Sequence, residues 1–62
     1  MTTNAIIFEG DYIRDTNGTV SKVINICNWD DNGDADVFLE NGSTLNSAHV
    51  KIEDIFLESE IL

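Results

Sequence analysis

The chain has no proline, one cysteine, one histidine, one tryptophan and only three cationic side chains in 62 residues. Each shortage excludes something. A lone Cys27 can form no intramolecular disulfide and no cysteine-based zinc site, and it fits a reducing compartment better than a secreted scaffold. Arg14, Lys22 and Lys51 stand against 12 acids, which gives a formal charge of −9. A nucleic-acid binder neutralises phosphates with Lys and Arg, so direct binding to DNA, RNA or an anionic membrane is not expected. Apolar runs fall far short of the ~20 residues that cross a bilayer, and Met1 to Phe8 lacks the basic start of a signal peptide. The expectation is one cytoplasmic domain, residues 1–62, with no metal and no cofactor.

A domain of this size buries only about 60% of the surface its unfolded chain exposes, and such folds gain stability from disulfides, metals or association. Association is the route left. Ile24, Ile26 and Phe38 read as an outward apolar face, so a homodimer is expected. Seven Asn, eight Ile and no Pro is the usage of an AT-rich genome, frequent among small phage and mobile-element proteins.

Turn chemistry is what the chain has in quantity. Asn17-Gly18, Asn32-Gly33 and Asn41-Gly42 each stand between apolar runs rich in β-branched residues. A type I′ hairpin turn needs positive φ at both central positions, which Gly adopts freely and Asn tolerates. Strands are expected from Asp11 to Asp15, Thr19 to Trp29, Ala35 to Glu40, Ser43 to Asn46 and Phe56 to Glu58, with a single 3₁₀ turn before the last. Alternation puts Ile13 inward and Tyr12 and Arg14 outward; it puts Ala35, Val37 and Leu39 on one face, and Asp36, Phe38 and Glu40 on the other. Val20 and Val23 cannot share a face of a regular strand, so a β-bulge near Ser21-Lys22 is expected. The order shows no internal repeat, linker or heptad pattern.

Five short strands, with a loop after the first, a long bulged second, tight hairpins and a 3₁₀ turn before the closing strand, resemble the SH3-like small β-barrel. The pattern Gly18-Thr19-Val20-Ser21-Lys22-Val23, after Gly10-Asp11 and answered by Ala35-Asp36-Val37-Phe38-Leu39, is similar to the KOW and Tudor branches of that superfamily. The resemblance runs from about Gly10 to Glu58. It implies an all-β, five-stranded antiparallel barrel that serves as a binding module without catalytic machinery. The basic residues of nucleic-acid-holding KOW domains and the aromatic cage of methyl-lysine-reading Tudor domains are both missing here.

Several groups invite a chemical reading. Asn28 to Asp36 imitates the start of an EF-hand, with oxygen donors at alternate positions and Gly33 sixth, but Leu39 stands where a bidentate Glu is required. A solvated acidic hairpin is expected instead. His49 could recruit only Ser47, Asp54 or Cys27, with nothing to fix their geometry, so no enzyme is expected. Cys27 reads as a small core hydrophobe. Trp29 either anchors a partner or caps the open end of the barrel. Asp30, Asp31, Asp34 and Asp36 form one acidic cluster, and Glu53 and Asp54 precede the last strand. A charge of −9 exceeds the ~2–8 that solubility calls for, which points to a partner with a basic surface.

The expected partner-binding residues are therefore Trp29, Asp30, Asp31, Asp34, Asp36, Phe38, Glu53 and Asp54. The expected function is a non-catalytic protein that inhibits or masks a basic protein surface, including one that normally holds nucleic acid, as a phage anti-defence protein or nucleic-acid mimic does. The alternative is an SH3-like assembly module, homo-oligomeric or not, that works through Trp29, Phe38 and an edge strand.

Overall fold

A computed structural model describes residues 6–61. It has five strands, β1 (Tyr12–Arg14), β2 (Val20–Cys27), β3 (Asp36–Leu39), β4 (Thr44–Asn46) and β5 (Ile55–Phe56), with 3₁₀ turns at Ser47–His49 and Ile52–Asp54 and a terminal helix α1 (Glu58–Ile61). The strands make one antiparallel sheet in the order β4-β3-β2-β1-β5. The first four follow one another as a meander, and the 3₁₀ turns carry the chain back to lay β5 on β1.

This is the small all-β fold expected, but the barrel is not closed. Both residues of β5 pair with β1, and the chain then turns away into α1, so β4 and β5 remain the two edges of an open sheet. The turn is fixed locally: Glu60 reaches back to accept the Leu57 backbone N–H at 2.7 Å, half of a capping box. That helix start replaces the expected strand from Phe56 to Glu58. Two 3₁₀ turns stand where one was expected, the first capped by Asn46, which accepts the Ala48 N–H. Ile61 is exposed in α1; Leu62 lies outside the described residues.

The three Asn-Gly pairs build one loop three times, and it is not type I′. Gly18, Gly33 and Gly42 have φ of +84°, +82° and +91°, whereas the only non-glycine with positive φ among the described residues is Asn28. Gly18 donates to the Asp15 carbonyl at 2.9 Å, and Asp15 to the Thr19 carbonyl at 2.8 Å. The pairs Gly33 to Asp30 with Asp30 to Asp34, and Gly42 to Leu39 with Leu39 to Ser43, repeat the pattern. This is the three-residue hairpin loop, a type I turn followed by a left-handed glycine. In two of the loops the cause is the aspartate at the first corner. Asp15 Oδ1 accepts the N–H groups of Asn17 and Thr19, and Asp30 Oδ1 those of Asn32 and Asp34; an Asx turn of this kind favours type I geometry at the asparagine.

The bulge also sits elsewhere than expected. Val20, Ser21 and Lys22 pair in unbroken register with Arg14, Ile13 and Tyr12, and the shift falls between Val23 and Asn25. Ser21 is therefore the inward residue and Val20 is only half-buried. The Ser21 hydroxyl accepts the Asn41 N–H at 3.1 Å, so its place inside is satisfied. The extra residue, Ile24, lets both Val23 and Ile26 face inward although they are three apart. Ile26 packs on the core of Ile7, Ile13, Val23, Val37, Leu39 and Val50, which corrects its assignment to an outward face. Ile13, Ala35, Val37 and Leu39 are inward as alternation requires.

Candidate functional site

Two chain segments flank a groove at one end of the sheet. On one side, Ile7 enters the core, and alternation turns its neighbours Ile6 and Phe8 outward, 73% and 64% exposed. Gly10, at φ +97°, closes a turn in which Asp11 N donates to the Phe8 carbonyl and Phe8 N to the Asp11 carboxylate. Its own N–H then donates to the Val23 carbonyl at 2.9 Å, which pins the segment along β2. On the other side, Asn28 takes left-handed φ of 59°, a conformation Asn adopts more readily than bulkier residues, and its Nδ2 donates to Asp36 at 3.0 Å. That reversal ends β2 and leaves Trp29 65% exposed. Between them lies a groove of about 670 Å³, lined by Ile6, Phe8, Ile26 and Trp29, with Glu9 and Asp34 among its polar groups.

The expected binding residues do not form one face. Trp29 and Asp34 line the groove, and Asp30 and Asp31 stand exposed in the same loop. Asp34 is not a solvated charge: it is 7% exposed and accepts the Ser47 hydroxyl at 3.0 Å, while that hydroxyl accepts the Ala35 N–H at 2.9 Å. The pair ties the acidic loop to the first 3₁₀ turn, a role the residue order alone does not announce. Asp36 is half-buried and takes Asn28 and Asn46. Phe38 is half-buried on the outer sheet face, paired with Asn25 and Thr44. Glu53 and Asp54 lie in the second 3₁₀ turn, where Asp54 pairs with Arg14 at 3.1 Å and the guanidinium sits 5.3 Å over the Phe56 ring.

The EF-hand-like spacing resolves into hairpin chemistry. Asp30 turns one oxygen onto two backbone N–H groups, and Asp34 and Asp36 hold Ser47 and two asparagines. Among the described residues no three His, Cys, Asp or Glu side chains gather as a metal-ligating group. His49 and Asp54 share a second, small cavity of about 100 Å³ with Arg14 and Asp15. Ser47 is held by Asp34 and Ala35, and half-buried Cys27 meets Asn25 Nδ2 at 3.9 Å.

Asp15 is the most heavily bonded acid. Besides its two backbone donors, its Oδ2 accepts Asn41 Nδ2 at 3.2 Å and the Ser43 hydroxyl at 3.3 Å. Its carboxyl is held below the usual value, chiefly by the Thr19 N–H and further by Asn41, Asn17 and Ser43, against the opposing effect of burial.

Ile6 and Phe8 are the site residues that sequence reasoning missed. The alternation Ile6-Ile7-Phe8 carried the signal, but only once Ile7 is known to enter the core. No helix among the described residues is long and apolar enough to cross a membrane. No protein-family model, curated protein or solved structure matches the chain.

Proposed function

We propose that the chain is a small non-catalytic binding protein that docks on the basic surface of another protein and masks it, a surface that normally holds nucleic acid being the best fit. One observation carries this reading: the exposed acids Asp30 and Asp31 directly follow the exposed Trp29 beside an apolar groove, on a chain of net charge −9. Complementary charge speeds encounter and makes binding fall with salt, and an aromatic side chain ringed by polar groups is the usual anchor. The free Cys27 agrees with a cytoplasmic setting, and a phage anti-defence protein is the type of molecule that fits. The loop after β1, the long bulged β2, the hairpins and the 3₁₀ turns before β5 support the SH3-like resemblance, with its implication of a module rather than an enzyme.

The test is the ionic-strength dependence of complex formation with a purified partner captured on the immobilised chain at low salt. Affinity should fall steeply between low and high salt, and fall likewise when Asp31 is changed to Lys. A flat dependence would transfer the protein to a second reading, an SH3-like assembly module that includes homo-oligomers. That reading is favoured by Ile24, 53% exposed at the bulge, and by β4 and β5, the edges of the sheet among the described residues.

A further inference from the structure

We infer that the groove between Ile6, Phe8 and Trp29 is the anchor site for a cationic segment of the partner that carries bulky apolar side chains between its Lys and Arg residues. This rests on the basic-partner reading and names where, and through what chemistry, such a partner is held.

Three observations converge on it. Single exposed apolar side chains are ordinary, but contiguous ones mark an interface. Ile6, Phe8 and Trp29, 73%, 64% and 65% exposed, all border the same groove. The floor of that groove is core: Ile7 is buried and Ile26 packs against the core cluster. An inserted side chain therefore extends a hydrophobic core that is small for want of chain length. Its volume, about 670 Å³, falls within the ~300–1,000 Å³ typical of ligand clefts, which is room for more than one side chain.

Charge chooses the occupant. Among the described residues the charged groups lining the groove are Glu9 and Asp34, with no cation. Arg14 is paired with Asp54 at the second cavity, Lys22 lies in β2 opposite Tyr12, and Lys51 directly precedes the second 3₁₀ turn. An anionic occupant, including the carboxylate of a fatty acid, meets only repulsion. A second copy of the chain would bring −9 against −9. A segment with apolar side chains for the floor and cations for Glu9 and the neighbouring Asp30 and Asp31 satisfies both requirements.

Trp29 is the sole tryptophan, so its emission reports the groove directly. The intact chain is titrated with three synthetic dodecapeptides: one with Leu and Phe among Lys and Arg, one with the same cations but Ser for Leu and Phe, and one with the same apolar residues but Glu for the cations. The first should saturate with a blue shift and bind at least ten-fold more tightly than the second, and the third should not bind. Phe8→Ala, at an exposed position, should weaken the first peptide at least ten-fold, and Phe8→Leu should restore most of it. Equal binding of the first two peptides would overturn the groove and leave the basic-partner reading standing. Equal binding of the first and third would show an apolar site indifferent to charge and overturn the cationic occupant. No binding of either cationic peptide would overturn both, and an emission shift that depends on protein concentration alone would give the groove to a second copy.

Discussion

The carboxylate of Asp15 accepts the side-chain amide of Asn41 at 3.2 Å across 26 positions of sequence, so the first Asn-Gly loop holds the third. The same Asn41 fixes its own loop by accepting the Ser43 N–H at 3.0 Å and by donating its backbone N–H to Ser21. The loop joining β1 to β2 and the loop joining β3 to β4, which an antiparallel meander places at the same end of the sheet, are thus one polar unit, and the strands between them cannot slip in register without breaking it.

Asp15→Asn should lower the denaturation midpoint. Oδ1 is kept, but an NH₂ group then faces the NH₂ of Asn41. Because the folded carboxyl titrates below its ordinary 3.8, its stabilisation is fully present above that pH and is lost as pH falls from there through the folded value. The gap between wild type and variant should accordingly be constant near neutrality and close in acid, as urea melts from pH 7 to pH 2 would read. A gap that widens in acid would contradict the assignment.

Gly42→Val should destabilise the domain by about 1–2 kcal/mol, the cost of a left-handed L-residue. Nothing lies within 4 Å of a Cβ at this site, so the strain is in the backbone alone. A synthetic chain with D-alanine at position 42, for which positive φ is natural, should match or exceed wild-type stability. If both substitutions cost the same, the loop conformation is misassigned.

Ser47→Ala should cost about 1–3 kcal/mol, because it leaves the buried Asp34 carboxylate and the Ala35 N–H without their partner. The same contact separates the acids of the loop. Asp34→Lys should unfold the chain, whereas Asp31→Lys should leave its circular dichroism and melting temperature nearly unchanged. Charge-reversal tests of binding therefore belong at Asp31 and Glu9. Equal tolerance at 31 and 34 would deny Asp34 its structural role.

The three asparagines should age at different rates. In an Asn-Gly pair the glycine nitrogen attacks the asparagine Cγ, ammonia leaves, and water opens the resulting succinimide to aspartate or isoaspartate. All three glycines sit in the same closed turn, but Asn41 holds its amide through two hydrogen bonds, so it should be the slowest. Asn17 and Asn32 are exposed as Asn41 is, but lack its contact with Asp15, and should convert first, which peptide mapping after incubation at mildly alkaline pH would show. Conversion of Asn41 ahead of both would mean that the contact with Asp15 does not persist in solution.

Local chemistry was legible in the residue order. Glycine after asparagine marked all three hairpin loops, because only glycine takes positive φ without strain. Strict alternation placed Ile13, Ala35, Val37 and Leu39 inside, because side chains of a strand leave on opposite faces. What residue order could not decide was anything settled by a partner distant in the chain. Turn type is the exception, a local effect that the Asn-Gly pairs overshadowed: the loops are type I rather than type I′ because Asp15 and Asp30 turn onto N–H groups two and four positions ahead. The bulge moved to Ile24 because Val23 and Ile26 must both meet Leu39 and Val37 across the sheet. Asp34 reads as one more surface acid until Ser47 arrives 13 positions later to bury it. The groove arises only when Gly10 pins Ile6 and Phe8 beside the end of β2. Register and burial of charge are sums over contacts between strands, and those contacts exist only after the chain has folded.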